Sequence, residues 1–203
     1  MKRIWIAGLV GTLALTSLCG CTDLAKQINE SVTYPQEYYI EYQVTNEDNT
    51  VTYTAKGKDS EGNYYYKSAT AEYFFEYTQN AYDVHEKTNG VWAKTISATE
   101  AYIKEQTKAF NDYAEKSKET FNGNFKEGEK TAFLERSVNT YTLELKIFNF
   151  KPSYSMYVDE ETGICLQYKD ITTVGDTQTG KTGFECISFQ TSDVDILQYF
   201  TQE

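Results

Sequence analysis

Histidine and proline are nearly absent from this chain: His85 is the one histidine, and Pro35 and Pro152 are the two prolines among 203 residues. A lone histidine offers no His-based catalytic pair and no histidine-centred metal cluster. Alternation sets His85 opposite Tyr82 and Val84, on the polar face of a strand, where the expectation is a solvated side chain. Also missing are a GxSxG elbow, an HExxH pair and a glycine-rich phosphate loop ahead of a helix. Cations are outnumbered, with 19 Lys and Arg against 30 Asp and Glu and a formal net charge of −11. The basic footprint that neutralises nucleic-acid phosphates is therefore lacking, and the longest basic cluster, Lys116 to Lys118, is offset by Glu115 and Glu119. Asp159, Glu160 and Glu161 form an acidic run without the spaced ligands of a calcium loop, so they read as a turn. These absences point away from an enzyme, a cofactor, a metal and a nucleic-acid partner.

What is present begins at the first residue. Lys2 and Arg3 precede a charge-free apolar run, Ile4 to Leu18, and Leu18-Cys19-Gly20-Cys21 puts a small residue before a cysteine. The tetrad resembles a bacterial lipobox. As a helix the run would cover roughly 22 Å against a hydrocarbon core of about 30 Å, too short to stay as a span. The expectation is a cleaved lipoprotein signal over 1–20, a diacylglyceryl group on Cys21, a tether over 21–37 and a single domain over 38–203. Loss of Lys2 and Arg3 takes the charge from −11 to −13. An acidic body is repelled by anionic headgroups, so the lipid anchor rather than the surface would hold the protein at the extracytoplasmic face of a cell membrane. A Gram-positive-type surface fits better than a periplasm.

From Tyr38 the sequence alternates with period two. Tyr38, Ile40, Tyr42 and Val44 share one face, and after the turn Asn46 to Asn49 a four-residue loop would pair Val44 with Val51 and Tyr42 with Tyr53. Tyr64 to Ala69, Glu72 to Tyr77, Tyr82 to Glu86 and Val91 to Ile96 continue the meander, with Asn89-Gly90 as its strongest hairpin signal. Ser97 to Glu100 reads as a capping box opening one long helix, about 98–121, with Ile103, Phe110, Ala114 and Phe121 as its stripe and Asn122-Gly123 as its stop. Alternation returns in Tyr141, Leu143, Leu145 and Ile147, in Tyr154, Met156 and Val158, in Ile164, Leu166 and Tyr168, and in a last strand from Phe184. The fold class is α+β: a curved antiparallel sheet of about ten strands, an open half-barrel, with one long helix inserted after the first meander.

This order of leader, meander and helix, followed by Leu134 to Lys169 with its segment Tyr157 to Tyr168, resembles envelope lipoproteins of the LolA, LolB and LppX type, and Gram-positive lipoproteins of unassigned role. The resemblance implies a half-closed antiparallel barrel with helices over its mouth and, in several members, acyl chains in the cavity. It supplies no catalytic motif. The resulting expectation is a binding or carrier module for a lipid or other amphiphile, with Tyr42, Tyr53, Tyr64, Tyr66, Tyr73, Phe75 and Tyr77 lining a cavity on the concave face. The alternative is a filled core, with exposed tyrosines docking a protein or glycan. Cys165 and Cys186 would share the outer face of adjacent strands about a Gly175-Asp176 turn; export permits a disulfide between them, and two thiols are the alternative.

Overall fold

The computed structural model describes residues 32–118 and 125–200. The leader, Cys21, the expected tether up to residue 31, and the expected helix end at Phe121 with its Asn122-Gly123 stop lie outside the described residues.

Among the described residues twelve strands form one antiparallel sheet. β1 (Tyr38–Thr45), β2 (Val51–Lys58), β3 (Tyr64–Lys67), β4 (Glu72–Thr78), β5 (Ala81–Thr88) and β6 (Val91–Ala98) make the first meander. β7 (Lys126–Glu127), β8 (Thr131–Phe133), β9 (Arg136–Glu144), β10 (Phe150–Asp159), β11 (Cys165–Val174) and β12 (Thr177–Gln190) make the second. The spatial order is β6-β5-β4-β3-β2-β1-β12-β11-β10-β9-β7, with β8 also on β9, and the sheet does not close. Its centre is the pairing of the first strand with the last long one, Tyr42 opposite Cys186 and Val44 opposite Phe184. The hairpin signal at Asn89-Gly90 is a two-residue turn with φ of 53° and 82°, the positive pair that a type I′ turn requires.

Two expectations are corrected. The long helix is instead two short ones, α1 (Glu100–Gln106) and α2 (Lys108–Ala114), followed by a 3-10 turn at Lys116–Lys118. At the break, Thr107 has ψ of 11° rather than a helical value near −42°. Its N–H still bonds Ile103 O, and Asn111 N–H bonds Thr107 O, so the ladder continues through the bend. The stripe Ile103, Phe110, Ala114 therefore survives intact, which is why periodicity alone shows no bend. Nor does Ser97 cap a helix: it lies in β6 and donates to Asp83 Oδ1 at 2.8 Å, and the N-cap position falls to Thr99.

The second correction concerns β2. Its partner register is Thr45 with Val51, Gln43 with Tyr53 and Tyr42 with Thr54, one residue off the expected pairing. The loop Asn46–Thr50 is longer because Asp48 Oδ1 accepts from both the Thr50 N–H (2.9 Å) and the Thr50 hydroxyl (2.6 Å), drawing Thr50 out of the strand. A slip of one residue sends every side chain to the opposite face. Val51 and Tyr53 are accordingly exposed, while Thr54 and Lys56 turn in beside Tyr42.

Both faces of the sheet are covered. Beneath α1 and α2 lies the main core, with Tyr42, Phe75, Val84, Ile103 and Phe110 each at most 2% exposed. On the opposite face a C-terminal strap ending in α3 (Leu197–Phe200) seats Ile196 against Tyr39, Ala55, Tyr65 and Phe74. Its rings stack on the sheet, Tyr199 at 4.7 Å from Tyr65 and Phe200 at 4.3 Å from Phe74. Ile196 is fully buried. Ile196→Ala is therefore expected to cost about 2–4 kcal/mol and to expose the half-buried Trp92 indole beside Phe200, read as a fall in the urea midpoint and a red shift of tryptophan emission. An unchanged midpoint would show that the strap is not part of the cooperative core.

Candidate functional site

A cleft of about 640 Å³ opens between α1, α2 and the first three strands. That volume lies in the range of small-molecule sites. Its strand wall carries Tyr38 from β1, Lys56 and Lys58 from β2 and Tyr64 from β3; its helical wall carries Glu100, Lys104, Asn111 and Glu115; Tyr34 and Gln36 close one side. The last residues expected in the tether thus lie on the body: Thr33 N–H bonds Thr162 O at 2.7 Å, and the Tyr34 and Tyr38 rings sit 5.1 Å apart.

At the base is Lys56, 7% exposed. Its ammonium donates to Asn111 Oδ1 at 2.9 Å and lies 5.4 Å from the Tyr34 ring, 5.9 Å from Phe110 and 6.0 Å from Tyr64. Burial disfavours the charged form, and Glu115 and Glu100 offset only part of that, so its pKa is brought down to about 8. A buried cation held in aromatic walls at a cleft floor is costly to keep without an anion in contact. Nearby, the Tyr34 hydroxyl is buried, with the Glu115 carboxylate as its neighbour. Burial, and secondarily Glu115, push that phenol's pKa well up, which keeps it a donor. An ammonium that donates to Asn111 and a phenol beside Glu115 therefore face one aromatic cleft. Sequence reasoning missed Lys56, Asn111, Glu115 and Tyr34. The one signal that could have revealed Lys56 is the Asn-x-Asp-x-Thr chemistry of residues 46–50, which lengthens the loop and turns Lys56 inward.

Of the seven aromatic residues expected to line a cavity, the structure brings five together. Tyr42, Tyr64, Tyr66 and Phe75 are buried in the main core, with Tyr73 packed against them. Tyr53 and Tyr77 are 48% and 43% exposed and are not buried with them: Tyr53 is turned out by the register of β2, and Tyr77, with its ring 5.3 Å from Tyr82, stays at the surface. The five are largely in contact with other side chains. Phe110 and Phe184 lie 5.3 and 5.2 Å from Tyr42, whose hydroxyl donates to Cys165 O at 2.8 Å.

Cys165 and Cys186 are both buried in that same core, so the outer face expected for them is corrected; the two-residue Gly175-Asp176 turn is as expected. The strap covers one face, the helices the other, and alternation alone cannot say which face is wet. The Cys165 thiol lies 3.3 Å from Gln167 O and the Cys186 thiol 3.2 Å from Ser188 O. Burial pushes the Cys186 thiol up to about 12, which makes it a poor nucleophile.

The acidic turn is structural. Asp159, 2% exposed, accepts from Arg136 Nε at 2.7 Å and Nη2 at 3.0 Å, and from the Thr162 N–H and hydroxyl. Arg136 also reaches Glu161 at 2.8 Å, and Lys130 pairs with Glu160. Among the described residues no group of three or more His, Cys, Asp or Glu is placed to hold a metal. His85 is not solvated as expected: its side chain is 14% exposed, 3.2 Å from Glu76 and 4.9 Å from the Phe200 ring of the strap.

No helix among the described residues is long and apolar enough to cross a membrane. No protein-family model matches the chain, and no curated protein matches it. Solved structures with a similar fold include the Pseudomonas aeruginosa MucA/MucB complex, at a TM-score of 0.40 and 7% identity over 90% of this chain and 59% of that one. They also include the Mycobacterium tuberculosis lipoprotein LppX, at 0.35 and 8% over 86% and 95%. A LolA superfamily protein from Nitrosomonas europaea matches at 0.31 and 8% over 89% and 97%. LppX and the LolA superfamily protein are of the type the sequence resembles. The chain spans about 59% of the length of the chain it matches in the MucA/MucB complex, and at these TM-scores no likeness says what this chain binds.

Proposed function

We propose that this protein is an extracytoplasmic lipoprotein, anchored through a diacylglyceryl group on Cys21, whose body is a non-enzymatic binding module for an amphiphile with an acidic head. The site is the cleft over Lys56. The observation that carries the reading is the ammonium of Lys56, buried at the cleft floor among aromatic rings with its pKa brought down to about 8, beside the buried Tyr34 hydroxyl. A carboxylate or phosphate seated there would accept from both, and the rings of Tyr34, Tyr38 and Tyr64 offer apolar wall for the chain attached to it. Lys58 and Lys104 line the same cleft and offset Glu100 and Glu115, which leaves the charge of Lys56 in excess. The centre of the helix-covered face is filled by Tyr42, Tyr66, Phe75 and Phe110, so the ligand position moves from the middle of the sheet to its helix-bordered side.

Native mass spectrometry of the purified chain tests this, with titration of a fluorescent fatty acid as the second measurement. Lys56→Met is expected to weaken fatty-acid binding by at least tenfold, or about 1.4 kcal/mol, while leaving the protein folded. Equal affinity in both proteins would remove Lys56 from the site. The same substitution is expected to raise stability at neutral pH, because it removes a desolvated charge from the core. The sign of the pH dependence follows. A lysine whose folded pKa is lowered from 10.5 to about 8 binds fewer protons folded than unfolded between those values, so its contribution makes stability rise with pH across that window. Subtracting the Lys56→Met stability profile from the wild-type profile isolates that rise; a flat difference would show that Lys56 is solvated.

A second reading rests on the same packing. With Tyr42, Tyr64, Tyr66 and Phe75 buried and Tyr53 and Tyr77 exposed, a filled body displaying tyrosines would dock a protein or glycan. Tyr53→Ser with Tyr77→Ser distinguishes them, since these changes leave fatty-acid binding intact under the first reading.

A further inference from the structure

At one end of the second meander, the strands run past the core into a bare apolar tip. Leu145, Ile147, Phe148 and Phe150 on the β9–β10 connection and Val174 at the end of β11 are all exposed, Phe148 at 93%. The tip is built rather than loose. Ile147 and Phe150 exchange both backbone hydrogen bonds, at 2.9 and 3.0 Å, around a two-residue turn. Gly175 N–H of the neighbouring β11–β12 turn donates to Asn149 O at 2.8 Å, and Lys151 Nζ reaches Gly175 O at 3.3 Å, tying the two hairpin ends into one unit. Phe148 occupies the first turn position with φ of 56°, a conformation that costs a phenylalanine energy and that glycine or asparagine would take more easily. Strained backbone there points the largest apolar side chain of the tip at solvent.

The charge around this tip is balanced, unlike that of the whole chain, with Lys146 and Lys151 against Glu144 and Asp176. The run Leu145-Lys146-Ile147-Phe148-Asn149-Phe150-Lys151 holds two lysines and no acid, in a chain whose formal charge is −11. Apolar side chains at an apex with lysines on either side match the layered chemistry of a bilayer surface, hydrocarbon below and phosphate above, with long lysine stems able to place their ammonium groups among the headgroups. Protein interfaces share that order of apolar centre and polar rim; what favours a bilayer is the anchor proposed at Cys21, which keeps the body beside one.

We infer that the Leu145–Lys151 tip, with Val174 beside it, is a membrane-docking surface that inserts Phe148 and its apolar neighbours into the interfacial layer of a lipid bilayer. The surface is separate from the Lys56 cleft. It qualifies the expectation of an acidic body held away from the membrane: the net charge opposes close approach overall, and at this apolar corner, where Lys146 and Lys151 balance Glu144 and Asp176, that opposition is absent. A few rings bind a membrane weakly alone, but a second attachment on the same chain turns their insertion into an intramolecular event at high effective concentration. The tip and the start of the described chain lie at opposite ends of the β10–β11 hairpin, because Thr33 bonds Thr162 at the far turn. Ten residues of β11 span roughly 30 Å, and the eleven residues from Cys21 to Val32 reach at most about 36–40 Å, so a chain anchored at Cys21 has the length to let the tip touch the same membrane.

The test uses the full chain, expressed with its own leader and reconstituted in vesicles of phosphatidylcholine with and without phosphatidylglycerol. Phe148→Trp places an indole at the apex, and Val91→Trp places one at another exposed apolar residue, on edge strand β6. Quenching by lipids brominated along the acyl chain, measured on protein that floats with the vesicles, reads depth. The indole introduced at 148 is expected to lose roughly half or more of its emission, as insertion of 5–10 Å implies, and the one at 91 to lose none; phosphatidylglycerol increases the effect through Lys146 and Lys151. Floating protein with no quenching at 148, or with equal quenching at both positions, overturns the inference. A concentration-dependent blue shift at 148 in lipid-free protein would assign the tip to a second copy of the chain and overturn it equally. A further variant, Phe148→Asp, is expected to abolish tip insertion with the urea midpoint unchanged, since the replaced ring touches no core; a fall in the midpoint would show that Phe148 packs, and overturn the exposure on which the inference stands.

Discussion

Gly183→Ala is expected to prevent folding or to cost on the order of 4 kcal/mol or more. Gly183 stands in β12 at the crossing of the two meanders, opposite Thr45 of β1 on one side and Lys169 of β11 on the other. Its φ is 147°, in a region nearly closed to residues with a side chain. A Cβ there would meet the Tyr168 carbonyl oxygen at 2.1 Å and its carbon at 3.0 Å. The obstacle is backbone, so no rotamer change relieves it, and the relief available is to break the β11–β12 ladder at the middle of the sheet. Urea unfolding of soluble Gly183→Ala, or its appearance in the insoluble fraction, reads the effect. The neighbour Thr182→Ala serves as the control and is expected to cost less than about 1 kcal/mol. A small loss for Gly183→Ala would mean that β11 and β12 are not in contact there.

Arg136→Ala is expected to cost about 3–5 kcal/mol, because it leaves the Asp159 carboxylate buried without its cation. The Asp159 side chain is 1% exposed and that of Arg136 16%, so water can replace the guanidinium only by opening the turn. Arg136 also lies 4.5 Å over the Phe189 ring, and truncation would remove that contact too. In a chain of this size such a loss corresponds to a fall of roughly 6–20 °C in Tm. Pairing Arg136→Ala with Asp159→Asn should recover part of the loss, since the amide is neutral and can still accept from Thr162; full additivity of the two changes would deny the ion pair. The acid limb of stability carries the same signature. Burial pushes the Asp159 carboxyl up, but the hydrogen bonds from Arg136 and Thr162 outweigh it and bring the pKa below the ordinary aspartate value. The unfolded chain therefore holds the proton more tightly, so this stabilisation is complete above the unfolded pKa near 4 and is lost as pH falls through the folded one. Asp159→Asn should flatten that limb.

How far the residues alone carry the fold differs from element to element. In β1 the alternation assigns every face correctly, because Tyr38, Ile40, Tyr42 and Val44 enter the main core and Tyr39 the opposite one. In β2 the same rule fails by one residue. The apolar residues Val51 and Tyr53 suggest one register, and hydrogen bonds of the Asp48 side chain impose the other. That single displacement hid the candidate site, because it is what turns Lys56 under the helices. The helix stripe was legible and the bend at Thr107 was not, since a bend that keeps its hydrogen-bond ladder leaves the period unchanged. Leu145 and Ile147 continue the β9 alternation on paper but lie beyond Glu144, where the core has ended. Alternation sets them on the face of Tyr141 and Leu143, and the structure leaves them at the surface. The short strands β7 and β8 have too few residues to show any period.

By itself the sequence determined the antiparallel meanders, their turns at Asn89-Gly90 and Gly175-Asp176, the position of the helical segment and the acidic charge, because backbone conformation and alternation are local properties. Tertiary structure alone decided that β1 pairs with β12, that the C-terminal strap covers the second face, that Cys165 and Cys186 are buried, and that Lys56 meets Asn111 at the base of a cleft. Each of these joins residues far apart in the chain, from Lys56 and Asn111 to Tyr39 and Tyr199. Such contacts are chosen by packing and desolvation over the whole molecule, and those energies exist only once the sheet has assembled.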